Sequence, residues 1–410
     1  MEGEYALLLR SENPITTLTW FRGDATSAEV ALKERLGRIL DQNRWLAGRI
    51  RPEHGKAVLT FDSAKTPNPN DFVTPLHPRR SPISRRTRLD QLARACRGWL
   101  LKNGLTEPLF QITVIPCRID PQTHFAVLVG LSHVVGDGHT YYKLMSMLMG
   151  HSDIEPLIYQ RIYSTAEQQA NAMGQSNYDF FARPGPAFFV NFLGGLVKTR
   201  TLGPVNQGVF ALIDDKNMQR EKKRAVAPNA AMGEVVQDAP FVSTNDVLTS
   251  WFFRTTQSDI GAMAINFRNR LSGHTDHHAG NYESIIVYAP SDYASPVLIR
   301  KSLKSFRRTE TINEPLPNFW ESLGLTSGLV TNWASFAEAN QIPGCQEELH
   351  IPLYDAAPLV PSGTAVMIIF RAGPQGLGIF MAGSPRTLQK LGYSRQFQTK
   401  PAFLSSKPLL

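Results

Sequence analysis

Residues 128–149 read LVGLSHVVGDGHTYYKLMSMLM and join the end of an apolar run to a methionine-rich segment. The run 124–131 is apolar almost throughout, which is typical of a strand buried on both faces. His133 and Asp137 therefore lie four residues apart where a buried strand passes into a helix. The predicted helix carries an apolar stripe at helical spacing, formed by Tyr141, Leu144, Met145 and Leu148.

Each of these two polar residues has a structural and a chemical interpretation. A histidine just beyond a strand is by default hydrogen-bonded to backbone, and an aspartate before a helix is a preferred N-cap. Chemically, a rigidly held neutral imidazole can take the proton of a hydroxyl or an amine, and Asp137 with Gly138 can anchor its turn. The pattern H-x-x-x-D by itself leaves both interpretations open.

Length, composition and charge limit the classes to which the protein can belong. The chain has 410 residues, 42% hydrophobic and 19% charged, as in a globular protein with a sizeable core. Its net charge of +8 favours anionic partners such as phosphorylated cofactors, nucleic acid or an acidic membrane surface. Cys96, Cys117 and Cys345 form no CxxC pair, which favours a reduced, cytoplasmic setting.

Neither a signal peptide nor a membrane span is expected. Residues 1–14 lack a basic-then-apolar pattern, and no apolar run reaches the ~18 residues of a span. The nearest run, PAFFVNFLGGLV at 186–197, is interpreted as a buried crossover, with an interfacial membrane contact as the alternative.

Strands and helices are predicted in both halves of the chain. Residues 198–240 lose periodicity and are interpreted as a connection between an N-terminal lobe, 1–197, and a C-terminal lobe, 241–410. This organisation predicts an α/β protein of two similar lobes. The predicted strands are 57–61, 110–116, 124–131, 262–267, 284–290, 365–370 and 377–383. The predicted helices are 26–41, 90–104, 244–256 and 295–308.

Six segments carry, in order, a resemblance to a known family. They are NRWLAGRI (43–50), SHVVGDGHTYYKLM (132–145), STNDVLTSW (243–251), INFRNRL with AGNY (265–282), LIRKSLKSFR (298–307) and LVTNWASF (329–336). The second is similar to the HxxxDG signature of BAHD-type acyl-CoA-dependent acyltransferases, which are related to peptide-synthetase condensation domains. The resemblance implies a chloramphenicol-acetyltransferase-like fold with the active site in a channel between the lobes.

The resemblance also implies roles for the residues of the motif. His133 would be the general base that deprotonates the acceptor, which then attacks the thioester without an enzyme nucleophile. Asp137 would orient the turn with Gly138 and pair with an arginine, either Arg268 or Arg270.

A second set of residues matches family positions that line the site. Thr331 and Trp333 can donate hydrogen bonds to the oxyanion that develops on the thioester. One segment departs from the family, because YDAAPLVPSG at 354–363 stands where a D-F-G-W-G motif is expected. That departure leaves the subgroup open.

Other polar clusters are weighed against their ordinary interpretation. Coenzyme A carries several phosphate charges, so one of two basic clusters is expected to hold its nucleotide end: Lys222, Lys223 and Arg224, or Arg300, Lys301 and Lys304. Nucleic acid is not expected, because aromatic residues do not interleave with the basic ones. The histidines of SGHTDHHAGN, 272–281, and His139 are interpreted as loop and helix-start residues rather than metal ligands.

The sequence therefore predicts transfer of an acyl group from acyl-CoA to a small-molecule hydroxyl or amine acceptor, without a metal. Alternatives are a condensation-type or a wax-ester or glycerolipid acyltransferase, and a catalytically degenerate binding protein of the same fold. A monomer is the working expectation, although the sequence says nothing direct about oligomeric state. The acyl chain and the acceptor are not specified by these motifs.

Overall fold

The computed structural model describes residues 14–54, 56–84, 87, 89–96, 108–182, 206–227, 240–317, 324–354, 363–392 and 402–405. The strands are β1 (Ile15–Arg22), β2 (Arg49–Glu53), β3 (Lys56–Thr60), β4 (Val73–Pro75), β5 (Phe110–Pro116), β6 (His124–Leu131), β7 (Gln207–Leu212), β8 (Ile260–Asn266), β9 (Glu283–Tyr288), β10 (Ser327–Asn332), β11 (Gln346–Pro352), β12 (Thr364–Arg371) and β13 (Leu377–Gly383). The helices are α1 (Ala25–Gln42), α2 (Leu89–Ala95), α3 (Gly138–Met149), α4 (Thr165–Met173), α5 (Gln175–Ala182), α6 (Asp215–Val226), α7 (Thr244–Thr256), α8 (Pro296–Ser305) and α9 (Pro385–Lys390).

Two sheets organise these elements. The first has five strands in the order β11-β1-β6-β5-β4, and the second has six in the order β7-β13-β12-β10-β8-β9. β2 and β3 form a separate hairpin. In the second sheet β10 runs parallel to both β8 and β12, whereas the other pairings are antiparallel.

Three apolar cores explain how the layers stack. One core packs α1 and α3 on the outer face of the first sheet, and another packs α7 and α8 on the second sheet. The third contains residues of both sheets, such as Leu18 and Leu128 from the first and Ile368 and Phe380 from the second. The inner faces of the sheets therefore meet in one continuous core, which accounts for the near-complete burial of β6.

The ends of three helices are fixed by side-chain caps that the sequence makes available. Asp24 accepts from the Ser27 amide at 2.7 Å, and α1 begins there. Ser243 and Asp246 exchange reciprocal hydrogen bonds as a capping box at the start of α7. Asp137 caps α3 by accepting from the Thr140 amide at 3.0 Å.

A buried polar network lies between the first sheet and α3. His350 of β11 bonds Thr19 of β1 through Nδ1 at 2.8 Å and Tyr142 of α3 through Nε2 at 3.1 Å. Thr17 and Tyr141 bond each other at 2.6 Å one step along the same face. Burial lowers the pKa of His350 to about 4, so this histidine is neutral at pH 7.

The outer strand of the second sheet, β9, is covered by two short helices. The Asn177 side chain of α5 donates to the carbonyl of Ile285 at 2.8 Å and accepts from the amide of Val287 at 2.9 Å. Gln169 of α4 donates to the carbonyl of Glu283 at 3.3 Å. These amide side chains form the hydrogen bonds that the backbone of a neighbouring strand would otherwise form with β9.

The lobe boundaries predicted from the sequence differ from the boundaries of the sheets. Residues 198–240, predicted as a connection, contain β7 and α6, both of which join the second sheet or its helices. β11 comes from the predicted C-terminal lobe but pairs with β1 in the first sheet. Local periodicity cannot show these pairings, because it does not encode which distant strand is the neighbour.

Some sequence predictions fall on residues that are not described. The apolar run 186–197 lies outside them, as do residues 355–362 of the divergent segment and residues 97–104 of a predicted helix. The described part of that helix is α2.

Candidate active site

His133 lies two residues beyond the end of β6, and its side chain is 23% exposed. Its ring Nδ1 lies 3.1 Å from Oδ1 of Asn281, which comes two residues before β9 of the second sheet. The histidine from one sheet and its partner from the other place the imidazole at the junction of the two lobes.

The hydrogen bonds of Asn281 determine the tautomer of His133. The Asn281 amide nitrogen donates to the His133 carbonyl at 2.8 Å and to the Val134 carbonyl at 3.3 Å. With both amide hydrogens directed to backbone oxygens, Oδ1 is the atom that meets Nδ1, and it can only accept. In the neutral imidazole, Nδ1 therefore carries the proton and Nε2 is the basic nitrogen.

Glu283 is the second residue whose side chain lies beside the His133 ring. Its Oε1 lies 3.8 Å from Nε2, and its side chain is 33% exposed. That separation is too long for a direct hydrogen bond, so the carboxylate faces the basic nitrogen across a gap.

Asp137 anchors the turn that carries His133. Its side chain, 2% exposed, forms an ion pair with Arg268 at 2.7 Å and accepts from the Tyr282 amide at 3.0 Å. Burial would raise the pKa of the Asp137 carboxyl, but the charge and hydrogen bond of Arg268 hold the pKa below its ordinary value. Asp137 is thus an ionised structural anchor.

Arg268 ties three segments together, and its guanidinium is fully buried. Besides Asp137 it donates to the carbonyls of His278 and Gly280, each at 2.9 Å, and to the Thr140 hydroxyl at 3.1 Å. The sequence leaves open whether Arg268 or Arg270 pairs with Asp137, and the structure has Arg268 in that position. Arg270 instead lies over the ring of Phe306, 5.4 Å from its centroid.

Gly138 leaves room for Trp333. A Cβ atom at position 138 would lie 3.3 Å from Cδ1 and 3.4 Å from Nε1 of the indole, tighter than ordinary packing. Thr331 is near the end of β10, where it pairs with Ile368 of β12, and Trp333 follows the strand. The second sheet therefore brings Trp333 against the start of α3.

The predicted basic clusters lie on helices that pack against α7. Lys222, Lys223 and Arg224 lie in the last turns of α6, where Arg224 pairs with Glu221 at 3.2 Å. Lys301 and Lys304 belong to α8. Arg300 of the same helix is held differently, because its guanidinium binds the buried carboxylate of Asp246 at 2.5 Å. Arg300 thus binds a residue of the α7 capping box, and its guanidinium is less available to bind a phosphate.

The loop 272–281 contains one buried histidine among several exposed residues. His274 is 2% exposed and bonds the Thr165 hydroxyl at 2.8 Å and the Ser272 carbonyl at 2.9 Å. His139 lies 3.3 Å from Asp276, and burial lowers the pKa of His139 to about 4. Within the described residues, no group of three or more His, Cys, Asp or Glu side chains has the arrangement of a metal site.

A groove of about 1190 Å³ lies at the opposite end of α3 from His133. It is lined by residues of α1, of the loop after β10 and of the β12–β13 turn, including Arg38, Glu338 and Arg371. Twelve helical residues separate the two ends of α3, which is roughly 18 Å at 1.5 Å per residue. The groove is therefore separate from the histidine site.

Two contributors to the site were missed as site residues in the sequence. Asn281 lies inside the AGNY segment, whose resemblance marked the position but not its contact with His133. Glu283 had no signal, because a lone glutamate at the start of a strand has no distinguishing pattern. Its place in the site becomes visible only when the two sheets are brought together in the fold.

No protein-family profile matches this chain, and no curated protein matches it. Solved structures do. TRI101 of F. sporotrichioides, complexed with coenzyme A and T-2, is 13% identical with a TM-score of 0.57 over 96% of each chain. Vinorine synthase is 13% identical with a TM-score of 0.55 over 95% of this chain and 90% of that one. The first condensation domain of the calcium-dependent antibiotic synthetase is 13% identical with a TM-score of 0.54 over 94% and 90%.

These likenesses confirm the fold predicted from the sequence. The chain has the two-lobed α/β architecture shared by BAHD-type acyltransferases and condensation domains. Among the described helices, none combines the length and the apolar character that crossing a bilayer requires.

Proposed function

We propose that this protein transfers an acyl group from acyl-CoA to the hydroxyl or amine of a small-molecule acceptor, with His133 as general base. The observation that carries the proposal is the tautomer of His133, whose Nδ1–H is committed to Asn281 and whose Nε2 is basic at the lobe junction. The fold supports it, since TRI101 shares that fold and was solved with coenzyme A.

The reaction needs one base and a polarised thioester. As the acceptor oxygen or nitrogen attacks the thioester carbonyl carbon, its proton passes to Nε2 of His133. The carbon–sulfur bond then breaks, and Nε2 returns the proton to the leaving sulfur. Thr331 and Trp333 are proposed as donors to the oxyanion of the tetrahedral intermediate. Trp333 packs over Gly138, which supports its place at the site.

Asp137, Gly138 and Arg268 are proposed as positioning residues. The buried ion pair and its hydrogen bonds join the turn after β6 to the segment before β9. His133 and Asn281 lie on these two joined segments, so the network holds the base in register with the residue that sets its tautomer.

The nucleotide end of coenzyme A is proposed to bind the basic residues of α6 and α8. Lys222, Lys223, Arg224, Lys301 and Lys304 lie on helices that both pack against α7, so the two predicted clusters can form one positive surface. Arg300 is not proposed as a phosphate ligand, because it pairs with Asp246. Arg270 is not the partner of Asp137, because it lies over the ring of Phe306. The protein is further proposed to act in the cytoplasm as a monomer.

A condensation-type reaction, in which a carrier protein delivers the acyl group, is the second candidate. The similar structure of a condensation domain favours it, whereas Ser132 stands where condensation domains carry the first histidine of a pair. A wax-ester or glycerolipid acyltransferase and a degenerate binding protein are the remaining alternatives.

One screen tests the proposed function. Purified protein is incubated with acyl-CoAs of increasing chain length and pooled alcohols and amines, and the free thiol of coenzyme A is measured. Acceptor-dependent thiol release supports the proposal. If no thiol is released and calorimetry at low ionic strength also shows no binding of coenzyme A or of any acyl-CoA, the carrier-protein reaction replaces it.

A further inference from the structure

The groove at the far end of α3 is the largest feature that the proposed reaction does not use. Its walls come from α1, from the loop between β10 and β11, and from the turn between β12 and β13. α1 packs on the first sheet and β12 belongs to the second, so the groove spans both lobes. Its volume of about 1190 Å³ is of the size that binds small organic molecules.

Part of the lining of the groove is apolar. Leu32, Leu148 and Ile342 line it with exposed fractions of 1%, 1% and 4%, and all three belong to the core that packs α1 and α3. Ala337 and Pro343 add further apolar atoms from the loop. A hydrocarbon body that lies against these residues loses contact with water, which favours binding.

Six charged side chains also line the groove: Arg35, Arg38, Arg371, Glu34, Glu338 and Glu347. Three of them are already bound within the protein. Arg35 donates to three backbone carbonyls at and just after the end of α3. Glu338 accepts from two serine hydroxyls, and Glu347 accepts from the backbone and side-chain amides of Asn340 at 3.0 and 2.6 Å. These three groups hold the walls of the groove together.

Arg38 and Arg371 are the hydrogen-bond donors that remain available to a ligand. Both are exposed, and within the described part of the chain neither guanidinium has a hydrogen bond or an ion pair. The planar fork of a guanidinium matches the two oxygens of a carboxylate. The formal charges of the six lining residues cancel, and Glu34 lies one turn before Arg38 on α1. A singly charged carboxylate is therefore favoured over a phosphate, which carries roughly 1.5 to 2 negative charges.

From this arrangement we propose that the groove binds a monocarboxylate with a hydrocarbon body. The guanidiniums of Arg38 and Arg371 hold the carboxylate, and the body lies against Leu32, Leu148 and Ile342. The site is separate from His133, so it does not depend on the proposed acyl transfer.

Cys345 provides a probe of the groove within the protein itself. It lines the groove and is half-buried, whereas Cys96 and Cys117, the other two cysteines of the chain, are fully buried. Burial and the nearby charge of Asp24 raise the pKa of the Cys345 thiol, so it is labelled at mildly alkaline pH. A ligand in the groove should slow the reaction of this thiol with iodoacetamide, a neutral reagent that does not compete for the arginines.

A protection assay tests the proposal. The rate of Cys345 labelling is measured by mass spectrometry at increasing concentrations of octanoate, nonanoate, decanoate, decanol or decyl phosphate, and calorimetry measures the same Kd values directly. Wild type is compared with Arg38→Gln, Arg371→Gln and the control Arg386→Gln. Arg386 is exposed on α9, which follows the end of β13 away from the β12–β13 turn. The Cys345→Ser protein confirms that the label is on Cys345.

We expect saturable protection of wild type and Arg386→Gln by the carboxylates, with Kd falling by about 2- to 4-fold for each added methylene group. Loss of a charged hydrogen bond in Arg38→Gln or Arg371→Gln should raise the Kd of decanoate by ~5- to 50-fold. The Kd of decanol, which has no charge, should be weaker than that of decanoate in wild type and the same in all variants.

Three results would overturn the proposal. The first is labelling of Cys345 at the same rate with and without the carboxylates, together with no heat of binding. The second is a Kd for decanoate that neither Arg38→Gln nor Arg371→Gln changes. The third is tighter binding of decyl phosphate than of decanoate, which would replace the carboxylate by a phosphate.

Discussion

At the scale of single residues, His133 differs from an ordinary strand-end histidine in the way its two nitrogens are used. Nδ1 is committed to Asn281, and Nε2 is the nitrogen that accepts a proton. Replacing His133 by Ala should therefore lower kcat by ~100- to 10,000-fold, the usual contribution of a general base. Steady-state kinetics and a thermal melt of the same sample measure rate and folding together.

The matched control for this change is His54→Ala, since the His54 side chain is 90% exposed on the β2–β3 hairpin. It should leave both the rate and the melting temperature unchanged. Acyl transfer near the wild-type rate in the His133→Ala protein would contradict the role of His133 as the base.

Asn281 offers a second test of the same chemistry. Asn281→Ala removes the acceptor that holds the proton on Nδ1, so the imidazole can adopt either tautomer and rotate. We expect kcat to fall while KM changes little, because the acceptor-binding surfaces remain. A purely structural role for Asn281 would instead lower the melting temperature with kcat of the folded fraction unchanged.

Asp137 combines a helix cap with a buried ion pair, and the chain contains a control that separates the two. Asp24 caps α1 with the same hydrogen bond but is exposed. Asp24→Ala should lower the free energy of unfolding only slightly, because it removes a solvent-exposed helix cap and nothing else. Asp137→Ala should cost about 3–5 kcal/mol, because it also leaves the Arg268 guanidinium buried without its partner. Urea unfolding of both variants measures the difference, and equal losses would show that the ion pair contributes nothing.

At the scale of helices and strands, the elements that the sequence predicts well are those whose signals are local. The predicted helix 244–256 coincides with α7, because a Ser/Asp capping box fixes its start. The predicted strand 124–131 coincides with β6, whose continuous apolar run reflects burial on both faces. β7 and α6 were missed because residues 198–240 show no clear periodicity and were interpreted as a connection. The packing of both elements depends on the distant β13 and α7.

β1, β11 and α3 share the buried His350 network, which makes the first sheet sensitive to acid. The pKa of His350 is lowered from 6.5 to about 4 by burial. Below pH 6.5 the unfolded chain gains a proton on this histidine that the folded chain does not, so stability falls as the pH drops towards 4. The loss reaches about 3 kcal/mol, because each tenfold difference in proton affinity between the folded and unfolded chain corresponds to about 1.4 kcal/mol.

The measurement compares urea unfolding of wild type and His350→Gln from pH 7 to pH 4. The wild-type free energy of unfolding should fall more steeply by about 3 kcal/mol over that range. His139, whose pKa is also lowered to about 4, contributes equally to both curves and cancels. Parallel curves would show that His350 is protonated without cost in the folded protein.

At the scale of the whole molecule, the two lobes are not separable pieces of chain. β11, from the second half, completes the first sheet beside β1, and Arg268 neutralises Asp137 across the junction. Fragments divided between residues 227 and 240 should therefore each lack cooperative thermal unfolding alone and regain it when mixed. Calorimetry of each fragment and of the mixture tests this, and a cooperative transition in either fragment alone would contradict it.

The candidate site shows the same dependence on distant pairing. The sequence singles out His133, Asp137 and Trp333 as candidates, since each lies in a segment that resembles a family motif. It could not choose between Arg268 and Arg270, because two arginines so close in the chain have the same local pattern and differ only in which faces Asp137. The position of Glu283 beside His133 could not be predicted for the same reason. It depends on a contact with Nε2 of a histidine about 150 residues away in the chain.

The cover over β9 has a consequence for how the protein behaves in a crowded solution. An outermost strand with unpaired N–H and C=O groups is a template for a strand of another copy, and chains can add to it as they do in fibrils. The carboxamide of Asn177 stands in for one peptide group of such a newcomer, accepting from Val287 and donating to Ile285. One side chain of a short helix thus occupies the positions at which a strand of another copy would pair.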